Sequence, residues 1–127
     1  MPTFTTRHRV AHVFNSWEAM PPVNEQMALP GSRTNPGLVA ARFLLKPGRK
    51  YEQAVKAFEP YDKVKEPNPE ARAAGQALIA EGMAAPDRDT FVYVNNRLEG
   101  NALETIDAMV EADYFRVMKG LDGSRSA

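Results

Sequence analysis

The sequence predicts an α/β fold built on a small parallel sheet. Three short segments are rich in apolar and β-branched residues, as strands are: residues 9–15 (RVAHVFN), 38–45 (LVAARFLL) and 91–95 (FVYVN). The segments around them show apolar residues at helical spacing or helix-start signals. Because strands that alternate with helical connections form βαβ units, we expect about three parallel strands with flanking helices.

The first two strands differ in what surrounds them. Residues 16–36, after the first strand, are crowded with Pro, Gly, Ser and Asn, which leaves room for only one short helix at residues 23–29. The second strand is apolar except for Arg42. A strand of this composition is typical of a parallel sheet, so we expect it to be covered on both faces.

Three more helices are predicted. Residues 50–58 have apolar side chains at helical spacing and are stopped by Pro60. Residues 69–81 follow a candidate cap, Asn68, with a proline at the first helical position. Residues 102–118 carry one apolar face. We therefore expect one domain over residues 1–119 and a disordered tail at 120–127.

The composition excludes several classes of function. The 127 residues include 16 basic and 16 acidic residues, so no overall field attracts nucleic acid or an anionic membrane. Cysteine is absent, which removes disulfides, thiolate nucleophiles and sulfur-based zinc sites. The N-terminus lacks the apolar core of a signal peptide, and no segment approaches the roughly 20 apolar residues that cross a bilayer. We expect a soluble cytoplasmic protein.

Two blocks of sequence carry a family resemblance. One is the Arg-bearing strand with the Tyr-Glu-x-Ala helix and Tyr-Asp segment that follow it, in residues 41–73; the other is FVYVNNRLEGNALETI, residues 91–106. Together with HVFNSWEAMPP at residues 12–22 they resemble the C-terminal portion of the YecE-like barrels, known as domain-of-unknown-function family 72. The resemblance implies a partial TIM-type (β/α) barrel of uncharacterised function. A complete barrel has about 250 residues, so we expect half a barrel or less here.

Sites in such barrels lie where the strands end, because the loops at the C-terminal rim carry the functional groups. This rule selects residues after each predicted strand of the chain. They are Asn15 and Trp17, then Arg42, Lys46, Arg49 and Lys50, and finally Asn95, Asn96, Glu99 and Asn101. We expect these three groups to lie on one rim.

Arg42 is the most informative of these residues. A charge within an apolar strand needs a partner that offsets its desolvation, so Arg42 is predicted to hold an anionic or polar ligand. The alternative is a structural ion pair, or a side chain that reaches past the end of the strand. The neighbouring run KPGRK, with Lys46 and Arg49, could hold a phosphate around a glycine turn, but short basic runs are more often solvated loops. Tyr51 is the one aromatic nearby, so nucleic acid binding is not expected.

The third cluster divides into structural and ligand-facing residues. Asn101 is predicted to cap the last helix, with Glu104 as its reciprocal partner. Gly100 is expected to supply a backbone conformation or a close approach that other residues cannot. Alternation points Asn95 and Asn96 to opposite faces, so one of them faces the barrel axis. Glu99 is a weak candidate for a general acid or base, which would require a pKa raised by enclosure, and is otherwise a solvated loop residue.

The remaining candidates favour structural roles. His8 and His12 are the two histidines, and without a definite carboxylate partner they make a poor metal site, so no metal is predicted. Trp17 could stack on a ligand at the rim, although a tryptophan after a strand is more often a packing anchor.

Three functions remain open. The first is a partial barrel that binds a small polar or phosphate-containing ligand. The second is a phosphoester hydrolase or isomerase, which rests on fold analogy alone. The third is a non-catalytic interaction module whose open sheet edges pair with a second copy, or with a partner that supplies the missing strands. The sequence identifies no cofactor.

Overall fold

The structure, a computed structural model, describes residues 10–121, with side chains described as far as residue 111. Helices separate the strands along this part of the chain, with two of them between the second and third strands. In order they are β1 (Val13–Ser16), α1 (Val23–Ala28), β2 (Leu38–Phe43), α2 (Tyr51–Phe58), α3 (Pro69–Met83), β3 (Asp89–Val94) and α4 (Ala102–Leu121).

The three strands form one parallel sheet in the order β1-β2-β3, which confirms the predicted α/β class. The pairing places Asn15, Arg42 and Tyr93 side by side across the sheet. The strands differ from the predicted segments mainly at their ends. β1 starts at Val13 rather than at residue 9, and β2 stops at Phe43 rather than at residue 45.

One face of the sheet is buried beneath the helices. Phe14, Val39 and Phe43 point from this face into a core that α3 and α4 complete. The helices contribute Leu78 from α3 and Met109 from α4, each about 1% exposed. Burial of a large apolar side chain contributes roughly 1.5–3 kcal/mol, so this layer is the main source of stability.

The opposite face of the sheet, called here the open face, is not covered by any residue that the structure describes. Phe91 and Tyr93 on β3 are 46% and 57% exposed, and Val13 on β1 is 40% exposed. Arg42 on β2 is exposed as well. The prediction that β2 is covered on both faces is therefore wrong for this part of the chain, because α1, α3 and α4 all contribute to the core on the opposite face.

Two helix starts follow the predicted caps. The Asn68 side chain accepts a hydrogen bond of 3.0 Å from the Ala71 backbone N–H and begins α3. The Asn101 side chain accepts one of 3.0 Å from Glu104 N–H at the start of α4. Glu104 does not return the bond as predicted, because its carboxylate accepts the Val64 N–H at 2.9 Å instead.

The C-terminal end extends further than expected. Helix α4 continues to Leu121 and so includes the first two residues of the predicted disordered tail. The rest of that tail, residues 122–127, lies outside the described residues, as does His8. Among the helices that the structure does describe, none combines the length and the apolar character needed to span a bilayer.

Gly100 fulfils the expectation of both a special backbone conformation and a close approach. Its φ is +123°, and a Cβ built there would lie 2.6 Å from the Lys63 carbonyl oxygen. Gly48 has a φ of +86° but open space around it.

Gly100→Ala is expected to lower the free energy of unfolding by roughly 3 kcal/mol, because it combines backbone strain with a clash against main chain. Gly48→Ala is the matched control, with strain alone and an expected loss of roughly 1 kcal/mol. Urea denaturation of both variants measures the difference. Equal losses of unfolding free energy in the two variants would show that the close approach of Gly100 to the Lys63 carbonyl does not exclude a side chain.

Candidate functional site

A pocket of about 250 Å³ lies at the carboxyl ends of β2 and β3 and contains three of the predicted rim residues, Trp17, Arg42 and Asn95. We call it the rim pocket. It is lined by Trp17, Arg42, Leu44, Leu45, Tyr51, Asn95 and Arg97. The strand-end rule therefore brought together residues from all three predicted groups, since Trp17 follows β1, Arg42 lies on β2 and Asn95 follows β3.

Arg42 reaches the rim pocket from the open face of the sheet. Its cross-strand neighbours are Asn15 and Tyr93. No carboxylate among the described side chains forms an ion pair with it. The sequence argument assumed that Arg42 is desolvated and must have a partner. Its exposure removes that requirement and leaves the guanidinium free to contact a ligand.

Arg97 is the second cation of the rim pocket, and it was missed by the sequence argument. The Asn95 side-chain oxygen accepts a hydrogen bond of 2.9 Å from the Arg97 backbone N–H and a longer one, 3.3 Å, from Nη1 of the same residue. The guanidinium lies 4.4 Å from the centre of the Tyr51 ring, a distance typical of a cation–π contact. Asn95 and Tyr51 thus hold Arg97 in one orientation.

Polar atoms without partners remain near these arginines. Arg97 Nε is buried and has no hydrogen-bond acceptor among the described residues. The side-chain oxygen of Asn15, next to Arg42 across the sheet, is also buried without a donor. Buried polar groups are normally satisfied, so these two atoms are exceptions among the described side chains.

Trp17 is a packing anchor, while its stacking on a ligand stays a prediction. The indole is partly buried and packs against the small cluster of Leu45, Ala54 and Phe58 under α2. It also contributes to the wall of the rim pocket. The anchor and the possible stacking surface are therefore the same side chain.

Three other predicted site residues lie away from the rim pocket. The Asn96 side-chain oxygen accepts the Ala102 N–H at 2.8 Å, so Asn96 supports the start of α4. Arg49 forms an ion pair with Glu66 and lies 5.1 Å from the Phe58 ring centre. Lys46 is exposed and lines a separate depression beside Glu66 and Glu70. The run KPGRK thus does not gather its cations around one anion.

Glu99 is fully buried in a network rather than solvated. Its carboxylate accepts hydrogen bonds from Arg72 at 2.8 and 3.0 Å, from Thr105 Oγ1 at 2.6 Å and from the Asn68 backbone N–H at 2.6 Å. Desolvation acts to raise the pKa of Glu99, but the bonds from Arg72, Thr105 and Asn68 outweigh it and leave the pKa below its ordinary value. Acid–base catalysis by Glu99 would require a raised pKa instead.

In the described part of the chain, His12 contacts an aromatic ring and no metal-binding group of side chains is formed. The ring of His12 packs edge-on against Phe14, with 5.1 Å between the ring centres. No three His, Asp or Glu side chains between residues 10 and 111 gather in a way that could hold a metal ion.

Comparison with protein-family models, with curated proteins and with solved structures found no match for this chain.

The lowered pKa of Glu99 predicts how stability changes with pH. The stabilisation is fully present above the pKa of an unfolded glutamate, about 4.3, and is lost as the pH falls through the lower folded value. Glu99→Gln should cost roughly 3 kcal/mol at neutral pH, the lower end for breaking a buried ion pair, because Arg72 still reaches water.

Urea denaturation between pH 3 and pH 7 checks this expectation, with Glu52→Gln on the exposed surface of α2 as the control. The difference in the free energy of unfolding between wild type and Glu99→Gln should stay constant above about pH 5 and become smaller below about pH 4. A difference that does not depend on pH would contradict the assigned ion pair.

Proposed function

We propose that the protein binds a small anionic ligand, a phosphate ester or a carboxylate, in the rim pocket. The observation that carries this proposal is that Arg42 and Arg97 line one pocket and that neither has an ion-pair partner among the described side chains. By contrast, Arg33, Arg49, Arg72 and Arg88 all pair with glutamates. Two adjacent unneutralised guanidinium groups attract an anion strongly.

The orientation of Arg97 favours binding further. Asn95 and Tyr51 restrain its side chain before any ligand arrives, so little rotamer entropy is lost on binding. A planar guanidinium can then donate two parallel hydrogen bonds to a phosphate or carboxylate.

The rest of the pocket wall suggests that the anion carries a carbon skeleton. Trp17, Leu44 and Leu45 contribute apolar surface next to the two arginines. A ring or short chain could pack there while its charged group faces Arg42 and Arg97. An organic phosphate or carboxylate therefore fits better than an inorganic ion alone.

The site also agrees with the proposal of a partial barrel related to the YecE-like family. What supports it is a parallel sheet with α1, α3 and α4 on one face, and a pocket at the carboxyl ends of the strands. In a closed barrel the open face would be the inner wall. Further strands, from another chain or a second copy, would then have to lie along a free edge of this sheet.

The alternative of a phosphoester hydrolase or isomerase gains no support from the pocket. The residues described as lining it include no His, Asp or Glu, which are the usual groups for moving protons. Binding without turnover is the function that the described residues favour. The cytoplasmic location expected from the sequence stays a prediction.

Arg42→Ala is expected to weaken binding of phenyl phosphate at least tenfold, since one charge-assisted hydrogen bond contributes about 1.5–3 kcal/mol. The residue is exposed, so the fold should be unaffected. Trp17 is the single tryptophan, and its indole N–H signal reports on the pocket directly in NMR titrations. Arg97→Ala should have a similar or larger effect, and added salt should weaken wild-type binding.

Lys46→Ala is the matched control, because it removes a nearby cation that lies outside the rim pocket. Its affinity should equal that of the wild type. The proposal fails if Arg42→Ala leaves both ligand affinity and fold stability unchanged, or if Lys46→Ala weakens binding as much as Arg42→Ala.

A further inference from the structure

The sheet has two edges, one at β1 and one at β3. At the β1 edge, side chains of the same chain already bond to the outward backbone groups of the strand. The side-chain amide of Gln26 accepts a hydrogen bond from the Asn15 backbone N–H at 3.0 Å and donates one to the Asn15 carbonyl at 2.8 Å. Thr34 Oγ1 likewise accepts from the His12 N–H at 2.7 Å and donates to the Val10 carbonyl at 2.8 Å. Side chains thus take the place of a neighbouring strand on this edge.

The β3 edge has no such cover among the described residues. The backbone N–H groups of Asp89 and Asn95 both bond to the β2 side, so the residues of opposite parity direct their N–H and C=O groups away from the sheet. These residues are Thr90, Val92 and Val94. No described side chain or backbone group outside the strand bonds to them.

Apolar side chains flank this edge on both faces of the sheet. On the open face, Phe91 and Tyr93 stack on each other, with ring centres 6.4 Å apart. On the helix side, an apolar groove of about 400 Å³ runs beside Val92, Ile106 and Val110. None of the six residues of β3 is fully buried, although most of them are apolar or aromatic. Exposure of these apolar and aromatic side chains to water is unfavourable.

The groove also contains a polar atom that lacks a partner. Thr90 Oγ1 is buried, and no described group donates to it or accepts from it. This hydroxyl lies on the helix side of β3 and faces Gly82 of α3, so it belongs to the wall of the groove rather than to the strand edge.

We propose that two copies of this chain pair through β3 in antiparallel orientation, which forms a continuous six-stranded sheet. A twofold axis perpendicular to the sheet at Val92 places each strand edge against its copy. Thr90 then lies opposite Val94 of the second copy, and all outward N–H and C=O groups find partners. Phe91 lies opposite Tyr93 of the second copy, which produces a ladder of four aromatic rings on the open face.

Charge favours a second copy of this chain as the partner. The formal net charge is zero, so two copies do not repel each other. The same register sets Asp89 of one copy opposite Asn95 of the other. This contact occurs twice by symmetry and sets a carboxylate opposite a neutral amide each time, so like charges do not meet across the axis.

The dimer interface reaches the size of a stable interface only if side chains on both faces of the sheet are buried along with the strand edges. Stable interfaces bury on the order of 1,200 Å² or more in total, which a single strand edge does not supply. The twofold axis keeps the helices of both copies on the same side. Exposed Ile106 and Val110 of α4, 37% and 44% exposed, then face their counterparts across the axis and close the groove.

Antiparallel pairing distinguishes this dimer from a barrel. A barrel would add a parallel strand along β3, and the register of the contacts would differ. The proposal does not rest on anion binding, because the outward-facing edge residues that carry it, Thr90, Val92 and Val94, do not line the rim pocket.

The first test is the mass of the full 127-residue chain in solution. Light scattering after size-exclusion chromatography should give twice 14.1 kDa for the wild type. Phe91→Lys places a charge in the aromatic ladder and should raise the dimer dissociation constant roughly tenfold or more. Leu29→Lys, which charges a 62% exposed leucine far from β3, should leave it unchanged. A single-chain mass at all concentrations, or a dimer insensitive to Phe91→Lys, overturns the proposal.

The second test determines orientation by cross-linking, which is direct because the chain has no cysteine. A tagged Phe91→Cys protein is mixed with an untagged Tyr93→Cys protein and oxidised. Antiparallel pairing at Val92 predicts the mixed disulfide in clear excess over both symmetrical ones, because only that pair has Cα atoms within disulfide distance. Val13→Cys mixed with Asn15→Cys on the capped β1 edge should give no disulfide. Equal amounts of mixed and symmetrical products would overturn the proposed register.

Discussion

The buried carboxylate of Glu99 is the interaction on which the functional end of the molecule depends. It binds Arg72 and the Asn68 N–H at the start of α3, and Thr105 in the first turn of α4. Its backbone carbonyl accepts the N–H groups of Lys65 and Glu66 at 2.9 and 3.1 Å. A charge buried without these partners would cost several kcal/mol, so the loop before α3, the turn after β3 and both helix starts are fixed relative to one another.

That fixed turn is what makes the rim pocket possible. Asn95 and Arg97 leave β3 immediately before Glu99, and their positions follow from where the turn is held. Arg97 can then rest on Tyr51, which comes from α2 on the other side of β2. The pocket therefore combines side chains from distant parts of the chain. Its cations stay unpaired because the glutamates nearby are used by other arginines.

Much of this could be read from the sequence, and the limits have physical causes. Apolar runs and caps such as Asn68 are local signals, so strands and helices were placed to within a few residues. The burial of a residue, by contrast, depends on contacts with parts of the chain that are distant in sequence. The sequence could not show that α1, α3 and α4 pack on one face, so Arg42 was expected to be desolvated and is exposed. Arg97 gave one weak signal, its position two residues after Asn95, which suits a side-chain turn.

The cluster Asn95, Asn96, Glu99 and Asn101 shows the same limit at the site. These residues lie within seven positions of one another, yet they serve three different structural roles. Asn95 holds Arg97, Asn96 and Asn101 support the start of α4, and Glu99 is buried. Strand alternation does not predict these roles, because β3 ends at Val94 and the path of the chain after the strand decides which partner each side chain meets.

The cover of the β1 edge limits how far association through this sheet can proceed. A sheet with two bare edges can add copies at both ends without limit, which is the route to fibres. Here Gln26 and Thr34 of the same molecule bond to the outward backbone groups of the β1 edge. In the proposed dimer, growth through β3 would therefore end once two copies meet, and these two side chains would keep the assembly finite.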